Sequence, residues 1–338
     1  MDILFFDADK ALGTFLAEHP QNSFNPILLT KDFNTTPVSK LKDYFETTEV
    51  ISLFPHSEMV SNEKLDKFPK LKLIATRSTG YNHIDLAYCK KRGICVMNVP
   101  RYGEATVAEF AMGLMLALSR KIIRARHDMA ANRIRMSDYI GFDLMGKTIG
   151  IIGTGSIGTH MIKLTQAFGM NVLAYDLYPK KEFKNLYVKS LNDLYKKSDI
   201  ISLHIPSTPE NVHLLDKKAF EKMKDGVIII NTARGDLIDT QALYQALKSK
   251  KVSGAGLDVL ENEDFLLHDE IMTSPQLKNP EFLLDSAMNF KLLQLKNVIA
   301  TPHVAFNSID AVNRILQTTM DNINSFLKGK PTNRCLEK

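Results

Sequence analysis

At 338 residues the chain is longer than one hydrophobic core usually serves, so two domains are expected; 44% apolar and 24% charged residues are ordinary for a globular enzyme. The net charge of +5 is spread along the chain rather than run into basic blocks, which argues against a nucleic-acid partner and leaves only weak attraction for small anions. Cys89, Cys95 and Cys335 show no CxxC spacing, the start MDILFFDADK carries acids where a signal peptide carries bases, and the longest apolar stretch (Phe110–Leu118) is short of a membrane span; a cytoplasmic protein without disulfides, membrane partner or metal is expected.

In chain order, Ile3–Phe6, Val50–Phe54, Leu73–Thr76 and Ile94–Asn98 read as short buried strands, with helices over Lys40–Glu46 and Ile84–Lys91 between them. Thr106–Lys121 (TVAEFAMGLMLALSRK) reads as a helix opened by a Thr106/Glu109 capping box, and it is apolar on so many faces that burial between domains or subunits is expected. A second alternation follows. Strands are expected at Lys147–Ile152, Asn171–Tyr175, Ile200–Leu203, Val227–Asn231, Gly254–Asp258 and Val298–Thr301. Helices between them are expected at Ser156–Phe168, Leu191–Lys197, Lys217–Met223 and Thr240–Lys248, with a final amphipathic helix at Ser308–Leu327 that returns to the N-terminal domain. Alternation of this kind is the pattern of a doubly wound α/β domain.

Gly153-Thr-Gly155-Ser156-Ile157-Gly158 is a G-x-G-x-x-G between the strand TIGII and a helix, and Asp176 ends the next strand 18 residues after Gly158 (176 − 158). Gly153 permits the tight turn, Gly155 lets backbone approach a pyrophosphate, and Gly158 lets helix pack on strand, so the amides near Ser156 and Ile157 face the anion. Asp176 can accept both ribose hydroxyls of an adenosine. Against a 2′-phosphate about 4 Å away it would cost roughly 1 to 4 kcal/mol, which favours NAD over NADP, softened by Lys180 and Lys181 nearby. Gly141 to Thr148 also matches the P-loop pattern, but a strand rather than a helix follows Lys147, so an NTPase is set aside.

His303, in TPHVA, directly follows a buried-looking strand, where parallel α/β sheets place ligands, and imidazole suits proton transfer at neutral pH. Arg234 ends the segment INTAR and can hold a carboxylate bidentately; Glu263, five residues past Asp258, can pair with His303 and raise its pKa. Singly, each has a plainer reading, as a surface arginine, a loop acid and a capping residue. Together at strand ends of a nicotinamide-type fold they point to an active site.

With these residues in view the chain resembles the D-isomer-specific 2-hydroxyacid dehydrogenases, and within them the fermentative D-lactate dehydrogenases. The likeness runs nearly end to end, through RSTGYNHIDL (Arg77–Leu86), NVPRYGEATVAEFAMGLML (Asn98–Leu116), GFDLMGKTIGIIGTGSIG (Gly141–Gly158), SLHIPSTPENVHLLD (Ser202–Asp216), NTARGDLID (Asn231–Asp239), LDVLENE (Leu257–Glu263) and TPHVAFN (Thr301–Asn307). It implies two doubly wound parallel-sheet domains: a Rossmann NAD domain, residues 101–301, inserted into a split flavodoxin-like substrate domain, residues 1–100 and 302–338, with the cleft at their junction. It implies NAD-dependent, reversible reduction of pyruvate to D-lactate, or of larger 2-keto acids such as phenylpyruvate and 2-ketoisocaproate. His303 would move the proton, Glu263 would keep it protonated and Arg234 would bind the keto acid. Thr79, Gly80 and Tyr102 would take the substrate carboxylate. Asn211, Ile205, Pro206, Thr232, Ala233 and Asp258 fall at cofactor-contacting positions, Asp258 toward the carboxamide; His204 reads as cofactor-side and His213 as structural. Phe54 and Phe306 are candidates for a small apolar side-chain pocket. The resemblance also implies a homodimer, or dimer of dimers, through Thr106–Lys121. The segment Asp264–Lys296 reads as irregular and departs from the commonest pattern of the family.

Overall fold

A computed structural model describes residues 1–21, 23–55, 59–263 and 280–335. It divides into two compact units, Met1–Tyr102 with Ser308–Lys338, and Gly103–Asn307. His303 and Phe306 therefore belong to the second unit, and Tyr102 to the first.

In the first unit β1 (Asp2–Phe5), β2 (Asn25–Leu28), β3 (Val50–Leu53), β4 (Leu73–Thr76) and β5 (Cys95–Met97) form a parallel sheet in the order β2-β1-β3-β4-β5, the flavodoxin-like order. The period-two alternation of a strand sends neighbouring apolar residues to opposite faces. Leu4, Ile51 and Ile74 enter one core, and Ile3, Phe5, Val50, Leu73 and Ala75 the other. Both faces must then be covered. Helix α1 (Lys10–Glu18), capped by Asp9, brings Leu12, Phe15 and Leu16 to the second core, where the long C-terminal helix Ile309–Leu327 adds Leu316, Met320 and Ile323. Helices α2 (Asn62–Leu65) and α3 (Leu86–Lys91) put Leu65 and Cys89 into the first.

The second unit begins with α4 (Glu104–Ser119) and α5 (Ile122–Ala130). Its six strands, β6 (Thr148–Ile152), β7 (Asn171–Tyr175), β8 (Ile200–Leu203), β9 (Val227–Asn231), β10 (Val252–Leu257) and β11 (Val298–Ala300), form a parallel sheet ordered β11-β10-β9-β8-β6-β7. The order reverses at β6, so the crevice beyond the carboxyl end of β6 is the topological switch point where such sheets bind ligands. Helices α6 (Ser156–Ala167), α7 (Leu191–Lys197), α8 (Lys217–Lys222), α9 (Thr240–Lys248) and α10 (Pro280–Leu293) fill the crossovers, and the C-terminal helix of the first unit is α11.

Several elements differ from the sequence expectations. Residues 40–46 do not form one helix; Val38–Lys40 and Lys42–Tyr44 are single 3₁₀ turns, a segment too short to sustain an α-helix whose apolar residues Leu41, Tyr44 and Phe45 still pack on the core. The Thr106 capping box is absent, since α4 starts two residues earlier with Gly103 at its N-cap. The buried side of α4 (Ala108, Ala111, Met112, Leu114, Met115) packs within its own unit, against α6 and the strands β9 and β10. Residues 280–293, expected to be irregular, are the helix α10, whose Leu292 joins the core under α9; residues 264–279 lie outside the described residues. Among the described residues no helix is long and apolar enough to cross a membrane.

Candidate active site

The glycine-rich turn lies at the switch point. Gly153 has a φ of +95°, and a Cβ there would stand 2.4 Å from the His204 carbonyl oxygen; a Cβ on Gly158 would stand 1.9 Å from the Gly153 carbonyl oxygen. Both positions need glycine for the backbone to close. Gly155 is different: nothing lies within 4 Å of its missing Cβ, so the chain there is open to an approaching ligand. From this turn Ser156 begins α6, with Ile157 and Gly158 in its first turn, and their free amides make an anion site.

Asp176 follows β7. Its Oδ2 accepts from the Thr154 amide at 2.5 Å and the Thr154 hydroxyl at 2.9 Å, and its Oδ1 from the Tyr178 amide at 2.8 Å. The carboxylate is thus locked against the turn that the fingerprint pairs it with. Two neighbours complete this end. The Tyr187 hydroxyl lies 2.7 Å from the Thr154 hydroxyl and accepts from the Lys180 amide at 2.9 Å, while Lys180 Nζ donates to the Thr159 hydroxyl at 2.8 Å. Beyond β8, burial pushes the His204 imidazole down to about 4, so the ring is neutral, with Nε2 2.9 Å from the Ser202 hydroxyl. Ile205 and Pro206 continue a loop that Asn211 ties shut through the Thr208 amide, 2.8 Å, and the Pro206 carbonyl, 2.9 Å.

The catalytic candidates come from three adjacent strands. Asn231, Leu257 and Ala300 end β9, β10 and β11, and Asn231 and Leu257 pair directly, as do Leu257 and Ala300. Strands about 4.8 Å apart therefore deliver Arg234, Glu263 and His303 to one edge of the sheet. The Asn231 side chain shapes the first turn, accepting from the Ala233 amide at 3.0 Å and donating to the Arg234 carbonyl at 2.8 Å. The exposed Arg234 side chain donates to the Ala233 carbonyl and forms no ion pair among the described residues. Gly235 follows, and a Cβ on it would stand 2.1 Å from the Leu260 carbonyl, so the Arg234 turn lies hard against the loop that carries Glu263. Glu263 Oε2 accepts from the Leu260 amide at 2.9 Å, and Oε1 meets His303 Nδ1 at 2.7 Å.

His303 holds a left-handed φ of +53°, uncommon away from glycine. Its amide bonds to the carbonyls of Asp258, 2.9 Å, and Thr301, 3.0 Å, which keeps the turn in that shape. Asp258 does more. Only 1% exposed, its carboxylate accepts from the Thr301 hydroxyl (2.6 Å) and the amides of Val304 (2.9 Å) and Ala305 (2.8 Å). Burial raises its pKa while these bonds lower it. The carboxylate assigned by resemblance to the carboxamide thus fastens the histidine turn. The hydrogen bond to Glu263 raises the His303 pKa most; burial and the charge of Arg234 oppose it, and the charges of Glu263 and Asp258 add to it. With Nδ1 held by a carboxylate, Nε2 is the nitrogen left for a substrate oxygen.

In the first unit, Thr79 and Gly80 follow β4 in a loop with a dense support. The Thr79 hydroxyl donates to the Val99 carbonyl at 2.8 Å, Asn98 Nδ2 to the Thr79 carbonyl at 2.7 Å, and the Ser78 hydroxyl to the Gly80 carbonyl at 2.6 Å. Phe54 follows β3, with the buried Arg77 guanidinium 5.8 Å from its ring centre. The Tyr102 carbonyl accepts from Arg314 Nε at 2.6 Å.

Comparison with known proteins decides the family. The D-isomer specific 2-hydroxyacid dehydrogenase, NAD binding domain, matches residues 112–305. The chain is 42% identical over 262 residues to D-lactate dehydrogenase of Escherichia coli (strain K12), covering 77% of each chain. It is 39% identical over 283 residues to aromatic 2-oxoacid reductase of Clostridium sporogenes (strain ATCC 15579), covering 82% of this chain and 83% of that one. The structure of D-lactate dehydrogenase from Aquifex aeolicus complexed with NAD and lactic acid aligns at a TM-score of 0.81 and 35% identity, over 97% of this chain and 96% of that one. The chain belongs to the D-isomer specific 2-hydroxyacid dehydrogenase family.

As a member of this dehydrogenase family the chain is an enzyme that uses NAD, and its residues fit that group. The turn is open at Gly155, and the Thr232 hydroxyl, buried just past β9, has no partner among the described residues, a gap that a polar group of the dinucleotide would fill. Ala233, beside it, is buried too. The sequence reading missed Tyr187, which carries no motif and reaches Thr154 only through the fold. It also passed over Glu261, the other acid of LENE, which contacts His213 at 2.5 Å.

Proposed function

We propose that this dehydrogenase is a NAD-dependent D-lactate dehydrogenase that reduces pyruvate with NADH, reversibly, in the cytoplasm. The observation that carries the reading is the 2.7 Å contact of His303 with Glu263 beside Arg234. The cofactor supplies and accepts the hydride. The chain's own groups do the rest. His303, kept protonated by Glu263, donates from Nε2 to the keto oxygen and takes the proton back in the reverse direction. Arg234, without an internal ion pair among the described residues, holds the keto acid and polarises its carbonyl. We assign the substrate carboxylate to Thr79, Gly80 and Tyr102 and the substrate side chain to Phe54 and Phe306. The cofactor falls to Gly153, Gly155, Ser156, Ile157, Gly158, Asp176, His204, Ile205, Pro206, Asn211, Thr232, Ala233 and Asp258, with Arg234 and His303 adjoining it.

The similarity to an aromatic 2-oxoacid reductase favours a second reading, a broader enzyme for larger 2-keto acids. Apolar discrimination is worth only about 1–3 kcal/mol per methylene, so kcat/KM for pyruvate, phenylpyruvate and 2-ketoisocaproate with NADH decides between them. In the same assay His303→Ala should lose about 10²–10⁴ in kcat; near-normal turnover would overturn the reading. We further propose a homodimer or dimer of dimers. Exposed Ile122, Ile123 and Met129 on α5, with Ile134, Met136 and Ile140 after it, form the apolar stretch that favours association, and sedimentation equilibrium tests it.

A further inference from the structure

The loop that carries Glu263 holds a second acid, Glu261, turned to a different set of partners. Glu261 Oε1 meets His213 Nε2 at 2.5 Å, and Oε2 accepts from the Thr240 hydroxyl at 2.9 Å. Its carbonyl accepts from Asn289 Nδ2 at 2.6 Å. Asn289 is fully buried on α10, Thr240 opens α9, and His213 stands at the end of the 204–213 loop. His213 is itself tied back, its amide donating to the Asp236 carbonyl at 2.8 Å, within the turn that follows Arg234. One side chain and one carbonyl of Glu261 therefore join three elements around the loop. The next bonds along it are those of Glu263 to Leu260 and His303.

Geometry shows why such a clamp is needed. Asn262 has a φ of +52°, so the two acids flank a left-handed residue. Between Asp258 and Glu263 the loop has no regular structure, and the sheet ladder ends at Leu257. The start of the loop is fixed by the bonds of Asp258 and the burial of Val259, and the Glu261 contacts tie its far end, next to Glu263, to α9, α10 and the 204–213 loop.

We propose that Glu261, clamped by His213 and Thr240, is a positioning residue that holds the loop so that Glu263 meets His303. The inference rests on the catalytic reading above and deepens it. Glu261 touches neither substrate nor the reacting atoms; it acts through Glu263. Besides Glu263, the charged groups acting on the His303 ring are Asp258 and Arg234, and neither is bonded to Glu261.

The test combines a readout that needs no substrate with one that does. In the free protein, the His303 ring proton is followed by NMR titration and assigned by its loss in His303→Ala. In Glu261→Ala the His303 pKa should fall toward the ordinary histidine value, because the Glu263 bond loosens. Glu261→Gln, which still accepts from Thr240 and can bond His213, should restore most of the wild-type value. In keto-acid reduction Glu261→Ala should lower kcat by up to about 10²-fold, the scale of a misplacement of about 1 Å, with the KM for NADH little changed. In a Glu263→Gln background, Glu261→Ala should move the titration no further. Should Glu261→Ala fail to fold, His213→Ala, at a half-exposed ring, is read in the same way with a smaller shift in the same direction. A folded Glu261→Ala or His213→Ala protein whose His303 titrates as in wild type overturns the proposal. Failure of the catalytic reading looks different, as a wild-type protein that does not reduce 2-keto acids at all.

Discussion

Replacing Glu263 with Gln probes how His303 is kept ready to donate. The 2.7 Å contact joins a ring with 44% of its side chain exposed to a carboxylate with 21% exposed. Two unit charges about 4 Å apart interact by roughly 1 kcal/mol in water and 4 at an effective dielectric of 20; with the ring this open the lower end applies. The sign follows from the chemistry. On the proposed roles reduction draws on the imidazolium, so kcat/KM for pyruvate should decline as pH rises through the His303 pKa. In Glu263→Gln the decline begins at lower pH, and above both limbs the variant runs roughly fivefold below wild type, the rate equivalent of about 1 kcal/mol. Oxidation of D-lactate draws on the neutral ring, so its acid limb moves down by the same amount and the variant compares best at acid pH. Stability moves with it. A raised histidine pKa contributes stability that is full below the unfolded value, near 6.5, and is lost as pH rises through the folded value; Glu263→Gln should shrink that loss. Initial rates in both directions at saturating nucleotide, from about pH 5 to 9.5, measure the limbs. A constant factor at every pH, with neither limb displaced, would refute the assignment of Glu263 as the group that sets the proton affinity of the ring.

The second and third glycines of the fingerprint should separate binding from folding. Gly158→Ala places a methyl 1.9 Å from a carbonyl oxygen and should lower Tm, on the scale of about 1–3 kcal/mol for an overpacked site, whereas Gly155→Ala should keep Tm and weaken NADH binding measured by fluorescence titration. Asp176→Ala removes the charge that opposes a 2′-phosphate, so the ratio of kcat/KM for NADH over NADPH should fall, by roughly five- to tenfold or more; an unchanged ratio counts against that role. Asp258→Ala strands a hydroxyl and two amides in the His303 turn, and should cost roughly 2–4 kcal/mol in thermal unfolding along with most of kcat.

Much of the cofactor unit was legible because its strands are buried on both faces and therefore read as runs: TIGII, IISL and VIIIN stand out without any partner in view. The glycines were legible for a related reason, since each answers a local backbone demand. The elements that escaped reading depend on context. Helix α1 carries Gly13 and Thr14 at its centre and is held by Leu12, Phe15 and Leu16 against a sheet and by an Asp9 cap. Strand β2 contains Pro26, which a central strand would not accept, and it forms because it lies at the sheet edge. Helix α10 buries Ser286 and Asn289, polar residues that blur its apolar stripe. The candidate residues divided the same way. Arg234, Glu263 and His303 stand out as candidates by position after strands, but the partners of Asp258 lie more than forty residues further on, at Thr301, Val304 and Ala305, and only the closed sheet brings them within reach.

That the candidate residues lie so far apart in the chain is a consequence of parallel pairing. Each parallel neighbour needs a crossover, so chemistry assembled on β9, β10 and β11 must be drawn from three separate stretches, here 234, 263 and 303. The crossovers can vary as long as the registers Asn231↔Leu257 and Leu257↔Ala300 survive. The last few residues after each strand have no such freedom. Gly235 has no room for a side chain, Glu261 is tied on three sides, and the amide of His303 is bonded twice. The placement of an acid, a base and a guanidinium thus depends on short, over-determined turns rather than on the long helices between them, and substitutions in those turns should disturb the proton chemistry before they disturb the fold.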